Sequence, residues 1–134
     1  MNTKNSARLY ADALEMLPGG VLRINGEQMD MDRVNVRVPL GNTEIWEITN
    51  QGFMMMNTPH SFHVHDVQFQ VLSVNGRPPG PEEAGWKDTV LVWPNDVVRI
   101  IMRFENFTGL YMYHCHLLIH EDQGMMGQFE VYRP

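Results

Sequence analysis

The sequence predicts an all-β domain, built as a two-sheet β-sandwich or a small barrel. Three observations carry that prediction. Short stretches of alternating apolar and polar residues recur along the chain. Prolines and turn dipeptides punctuate them. The 134 residues, 43% hydrophobic, suffice for one packed core.

The first element is expected to be an exception. Residues 6–17 read as a short N-terminal helix, with Ser6 as its cap and Leu9, Ala13, Leu14 and Leu17 along one stripe. Pro18-Gly19-Gly20 breaks it. Residues 1–20 are thus an N-terminal extension or linker, and residues 21–134 the domain proper. Strands follow over residues 34–38 and 44–49, where apolar and polar side chains alternate. The strand over 69–74 ends at Asn75-Gly76, a hairpin turn signal. Residues 76–85, with Pro78, Pro79 and Pro81, form the long loop. A strand over 90–93 stops at Pro94-Asn95-Asp96, and the next covers 97–104. Residues 110–113 lead into a ligand-rich segment, and 128–132 close the chain. Seven such strands with little helix are the pattern of a sandwich or barrel.

Charge narrows the partners. Sixteen acidic residues against ten basic ones give a net charge of -6, which argues against nucleic acid. Without basic clusters a charge-driven membrane surface is not expected, and no apolar stretch reaches the length of a membrane-spanning helix. Residues 1–8 lack the apolar core of a secretory signal. The compartment, cell envelope or cytoplasm, therefore depends on sequence that would precede this chain. The single cysteine leaves no internal disulfide.

The chemistry is concentrated in two windows. All six histidines and the only cysteine lie in His60-Ser61-Phe62-His63-Val64-His65 and His114-Cys115-His116-Leu117-Leu118-Ile119-His120. Imidazole, thiolate and thioether form a copper ligand set, and Met125 follows the second window. In an extended segment His114 and His116 share one side and Cys115 faces the other, so one strand end can serve two metal centres. Cys115 would bind one copper with His120 and Met125, and with a second histidine drawn from the first window. Met126 competes with Met125 as the axial ligand. His114 and His116 would face a different metal, joined to Cys115 through a few covalent bonds. His63 and His65 are likewise two apart and can face one centre. His60 sits one turn or bend away, and Pro59 favours a loop-to-strand entry there. The run Met54-Met55-Met56 reads as core or loop packing rather than a copper-loading patch.

These residues resemble a known family. The first window, the string Gly85-Trp86-Lys87-Asp88-Thr89-Val90, and the run from Tyr113-His114-Cys115-His116 through His120-Glu121-Asp122-Gln123-Gly124-Met125 are similar to the C-terminal cupredoxin domain of bacterial multicopper oxidases, laccase-like and copper-efflux-oxidase-like. The resemblance covers roughly residues 21–134. It implies a cupredoxin-like Greek-key β-sandwich. By this resemblance His60, Cys115 and His120 are equatorial ligands of a type 1 copper, with Met125 axial. His63 would serve the type 2 copper, and His65, His114 and His116 the type 3 pair. Glu121 would act in proton supply. The implied reaction takes electrons from a reducing substrate, a phenol or metal ion, and reduces dioxygen to water at the trinuclear copper site.

Two departures stand out. Ser61 and Asp66 replace a proline and a glycine of the family's first window, so altered loop stiffness or outer hydrogen bonding is expected there. The chain also lacks the further His-x-His pairs that the family carries in an N-terminal domain, so half of a trinuclear site is present. The missing N-terminal cupredoxin domains are then the implied partners, and an exposed ligand face favours self-association. Other readings predict different features. A stand-alone or partner-dependent electron-transfer module needs only His60, Cys115, His120 and Met125. A cupin-type dioxygenase wants a glutamate shortly after His65, where 66–70 holds none. A metal-free structural cupredoxin would not require the intact ligand set.

Overall fold

The computed structural model describes residues 7–17, 21–24, 32, 34–50, 59–115 and 126–134; residues 7–17, 21–24, Cys115 and Met126 are described by their main chain alone. Among these residues ten strands form: β1 (Ala7–Leu17), β2 (Val21–Ile24), β3 (Val36–Pro39), β4 (Thr43–Asn50), β5 (His60–Val64), β6 (Phe69–Val74), β7 (Thr89–Val92), β8 (Val97–Arg103), β9 (Gly109–Cys115) and β10 (Met126–Tyr132). They make two five-stranded sheets, in the orders β2-β1-β4-β8-β6 and β3-β10-β9-β5-β7. All seven strands expected from the sequence are present, within the cupredoxin-like sandwich.

The expected N-terminal helix is not formed; residues 7–17 are strand β1. It pairs in parallel with β4 over eight residues, Ala7↔Thr43 to Leu14↔Asn50, and antiparallel with β2 from Leu14↔Ile24 to Leu17↔Val21. The apolar stripe suited a helix, but an isolated helix of this length is marginal in water. An inner strand has its main-chain groups satisfied on both sides, and that non-local pairing prevails.

Alternation places the core. In β4, Glu44, Trp46, Ile48 and Asn50 are buried while the residues between them are partly exposed. In β8 the inward residues are Val98, Ile100 and Met102, with Phe104 just beyond the strand. The second sheet answers with Phe62 and Val64 of β5, Val90 and Val92 of β7, Tyr113 of β9, and Phe129 and Val131 of β10. Trp46 is the hub. Its ring centroid lies 5.6 Å from Tyr113 and 5.7 Å from Phe129, both edge-on, so the favourable electrostatics of T-shaped aromatic pairs add to apolar burial. Its indole N–H donates to the buried Glu44 carboxylate at 3.1 Å, and Asn42 Nδ2 donates to the same group at 3.2 Å.

Turn chemistry agrees with the residues that make it. Asn75 and Gly76 both have positive φ, 53° and 79°, and Val74 and Arg77 exchange main-chain hydrogen bonds of 2.9 and 3.0 Å. That is the two-residue hairpin expected of Asn-Gly. The Asn75 side chain also accepts from Val97 N and donates to Asp96, both at 2.8 Å, pinning the turn against the start of β8. Gly127 is required by a close approach: a Cβ there would fall against the Tyr113 ring. Glycine opposite an aromatic lets that ring cross the neighbouring strand.

Candidate metal centre

β5 and β9 are adjacent and antiparallel, and their register brings the two histidine windows together: His63 lies opposite His114, and Phe62 opposite Cys115. Paired residues in an antiparallel ladder project to the same side, so His63 and His114 meet. β5 alternates in burial, with His60, Phe62 and Val64 inward and Ser61 and His63 on the other face. The first window thus places His60 and His63 on opposite faces of one strand. His60 is 1% exposed on the core side. His63 faces away from it.

His65 follows β5 directly, its amide donating to Met112 O at 2.9 Å. His63, His65 and His114 form a compact cluster whose ligand atoms all lie within 4.8 Å of one another. Their ring centroids are 5.0 to 5.1 Å apart, with mutual tilts of 60° to 66°. The Nε2 atoms of His65 and His114 are 3.0 Å apart. That separation fits two nitrogens on one ion, each about 2 Å from it. Neutral imidazole is a strong ligand for copper, so the donor set fits the metal. A cavity of about 250 Å³ borders the cluster, lined by His63, His65, Asp66 and Asp88 among others. Its two carboxylates favour a cation there.

Outer contacts hold the His63 ring. His63 Nδ1 lies 2.8 Å from the main-chain oxygen of Asp88 and 3.0 Å from Thr89 Oγ1. Thr89 is His63's partner in the β5–β7 register, and its hydroxyl donates to Asp88 Oδ1 at 2.9 Å. The sequence reading gave Asp88 and Thr89 no role, although they lie inside the string that carried the resemblance.

Asp66 adopts φ = 82°, a conformation glycine takes at little cost. The departure from the family's glycine thus falls where the backbone turns left-handed. Desolvation raises the Asp66 carboxyl above the ordinary carboxylate range. Nearby Tyr111 is also raised, first by burial and then by the negative charge of Asp66.

Of the expected site residues, the structure brings together His63, His65 and His114, and places His60 on the opposite face of the same strand. Cys115 ends β9. His116, His120, Glu121 and Met125 lie outside the described residues, as does the Met54–Met56 run. Met126, the competing axial candidate, begins β10 opposite His114. Among the described residues no helix is long and apolar enough to cross a membrane.

Fold and cluster together define a cupredoxin-like β-sandwich with a histidine centre fit for a metal. A family model described as multicopper oxidase matches residues 2–134. The multicopper oxidase mco of Staphylococcus haemolyticus is 44% identical over 108 residues, which are 81% of this chain and 24% of that protein. A laccase of Haloferax volcanii is 41% identical over 114 residues, 83% of this chain and 19% of that one. The crystal structure of a multi-copper oxidase from Pediococcus acidilactici superposes with a TM-score of 0.89 at 38% identity, covering 100% of this chain and 28% of that one. This chain belongs to the multicopper oxidase family, and it spans about a quarter of the length of such relatives.

Proposed function

We propose that this chain is the C-terminal domain of a multicopper oxidase, carrying the type 1 electron-entry site and half of the trinuclear site that reduces dioxygen to water. The observation that supports it most is the convergence of His63, His65 and His114, contributed by both windows, at one point. An electron-transfer module with a single copper would leave that cluster without a task.

In this reading His60, Cys115, His120 and Met125 would hold the type 1 copper. His63 belongs to the type 2 copper, and His65, His114 and His116 belong to the type 3 pair. When bound, copper supplies one-electron redox chemistry. The chain's own part is to hold the imidazoles in place. The β5–β9 register sets the spacing of His63 and His114, and the aromatic core behind Phe62 and Tyr113 keeps the two strands rigid. Glu121 would carry protons to the oxygen-reducing site. Residues 1–20 would lead into the domain, their strand β1 lying in the first sheet. The rest of the parent oxidase would bring the remaining cluster ligands; without it, the exposed histidine face favours self-association and little oxidase activity. The reducing substrate would be a phenol or a metal ion.

Titration of the chain with copper(II), followed by visible absorption, tests the reading. An intense blue band should saturate at about one copper per chain, as a cysteine thiolate centre requires. Cys115→Ser should abolish it, whereas His63→Ala and His65→Ala should leave it nearly unchanged. A band that survives Cys115→Ser refutes the type 1 assignment, and one bleached by His65→Ala refutes the division of ligands.

A further inference from the structure

Two groups at the start of the edge strand β7, one from Asp88 just before it and one from its first residue Thr89, face the same nitrogen of His63, and their hydrogen-bonding capacity determines which ring nitrogen is protonated. The main-chain oxygen of Asp88, 2.8 Å from Nδ1, can only accept. Thr89 Oγ1, at 3.0 Å, has a single hydrogen, and that hydrogen is directed to Asp88 Oδ1 at 2.9 Å. Toward His63 the hydroxyl therefore presents lone pairs. With two acceptors facing Nδ1, the proton of the neutral imidazole sits on Nδ1 and the lone pair on Nε2.

We propose that Thr89, with its hydroxyl committed by the Asp88 carboxylate, is a positioning residue that locks His63 in the Nδ1–H tautomer and makes Nε2 its metal-binding atom. This rests on the reading of His63 as a copper ligand. The Asp88 carbonyl alone is a weaker lock, because it also accepts the Val64 amide at 3.2 Å and so shares its two lone pairs. The Thr89 oxygen adds a second fixed acceptor and restrains rotation of the ring. It is also held by strand pairing, since Thr89 stands opposite His63 in the β5–β7 ladder. The Asp88 carboxylate comes no closer to Nδ1 than 3.8 Å, so it acts through the hydroxyl rather than on the ring. Carboxylate, hydroxyl and imidazole form a chain of the kind that orients metal-binding histidines from outside the coordination sphere.

The test is nitrogen-15 NMR of the histidine rings in the metal-free chain at roughly pH 8, above the ordinary imidazole range. It is followed by copper(II) titration read as loss of the His63 ring signals. Native chain should show His63 protonated at Nδ1 in a single tautomer. Thr89→Val, nearly isosteric, should give mixed tautomers and require about 10–100-fold more copper to bleach the His63 signals. Thr89→Ser should restore both. An unchanged near-ultraviolet circular dichroism spectrum would show that each variant keeps its aromatic core. Native His63 protonated at Nε2 would overturn the proposal, as would a Thr89→Val variant indistinguishable from native on both readouts. If the tautomer and its dependence on Thr89 hold but copper leaves the His63 signals untouched, the positioning role stands and the copper reading fails.

Discussion

The two sheets share one core and divide the work. The first sheet contributes Trp46, Ile48, Val98, Ile100 and Met102 to the interior, and no histidine lies on any of its strands. In the second sheet, β5 and β9 supply His60, His63 and His114, with His65 directly after β5. One sheet is a packing platform, the other a ligand carrier whose inner face is fixed by that platform. The difference explains how β5 can hold His60 toward the core and His63 toward the cluster. A strand presents alternate side chains to opposite faces, and rigidity on one face becomes precision on the other.

Substitutions in the two sheets should separate stability from metal binding. The largest loss is expected at the platform's hub: Trp46→Ala should cost about 3–5 kcal/mol in denaturant unfolding, because it empties a fully buried site and leaves Glu44 without its indole donor. His65→Ala, in the carrier, should leave the unfolding midpoint almost unchanged while weakening copper binding at the cluster. If the two variants lose similar stability, the division of labour is wrong. Gly127→Ala comes next, at about 1–3 kcal/mol, since the added methyl meets the Tyr113 ring in the second sheet.

A smaller effect is expected at Asp66. A β-branched residue tolerates φ = 82° poorly, so Asp66→Val should destabilise by about 1–2 kcal/mol, whereas Asp66→Gly should be close to neutral. Equal costs for both would mean that backbone conformation is not what this position selects. The smallest effect is electrostatic. Tyr111 is raised by burial and by Asp66, so its contribution to stability is fully present below the ordinary tyrosine range and is lost as pH rises through the folded value. Asp66→Asn should lower the Tyr111 titration toward that ordinary range without removing the burial effect. The phenolate absorbance change, referred to Tyr111→Phe, reads it; an unmoved midpoint would exclude the Asp66 contribution.

Much of the fold was legible in the sequence. Alternation in residues 44–49 foretold β4, and Asn75-Gly76 foretold a tight turn, because both signals are local. The shared side of His63 and His65 could be read from their spacing of two, whereas the placement of His60 on the opposite face of β5 came from the structure. Residues 6–17 misled because their apolar spacing suits a helix while their partners, β2 and β4, are non-local. Asp88 and Thr89 passed without a role because nothing in their own neighbourhood points at His63, 25 residues away.

The sequence by itself determined the composition of the centre: which residue types are present, in two windows, at spacings suited to copper. It also determined most strands, because side-chain periodicity is a property of consecutive residues. Only the tertiary structure decided the register of β5 on β9, which brings His65 and His114 from 49 positions apart to 3.0 Å. It alone decided that Asp88 and Thr89, at the start of β7, would set two oxygens against Nδ1 of His63. Pairing between distant strands is selected by burial of the whole core, so its consequences at the site are absent from any single stretch of chain.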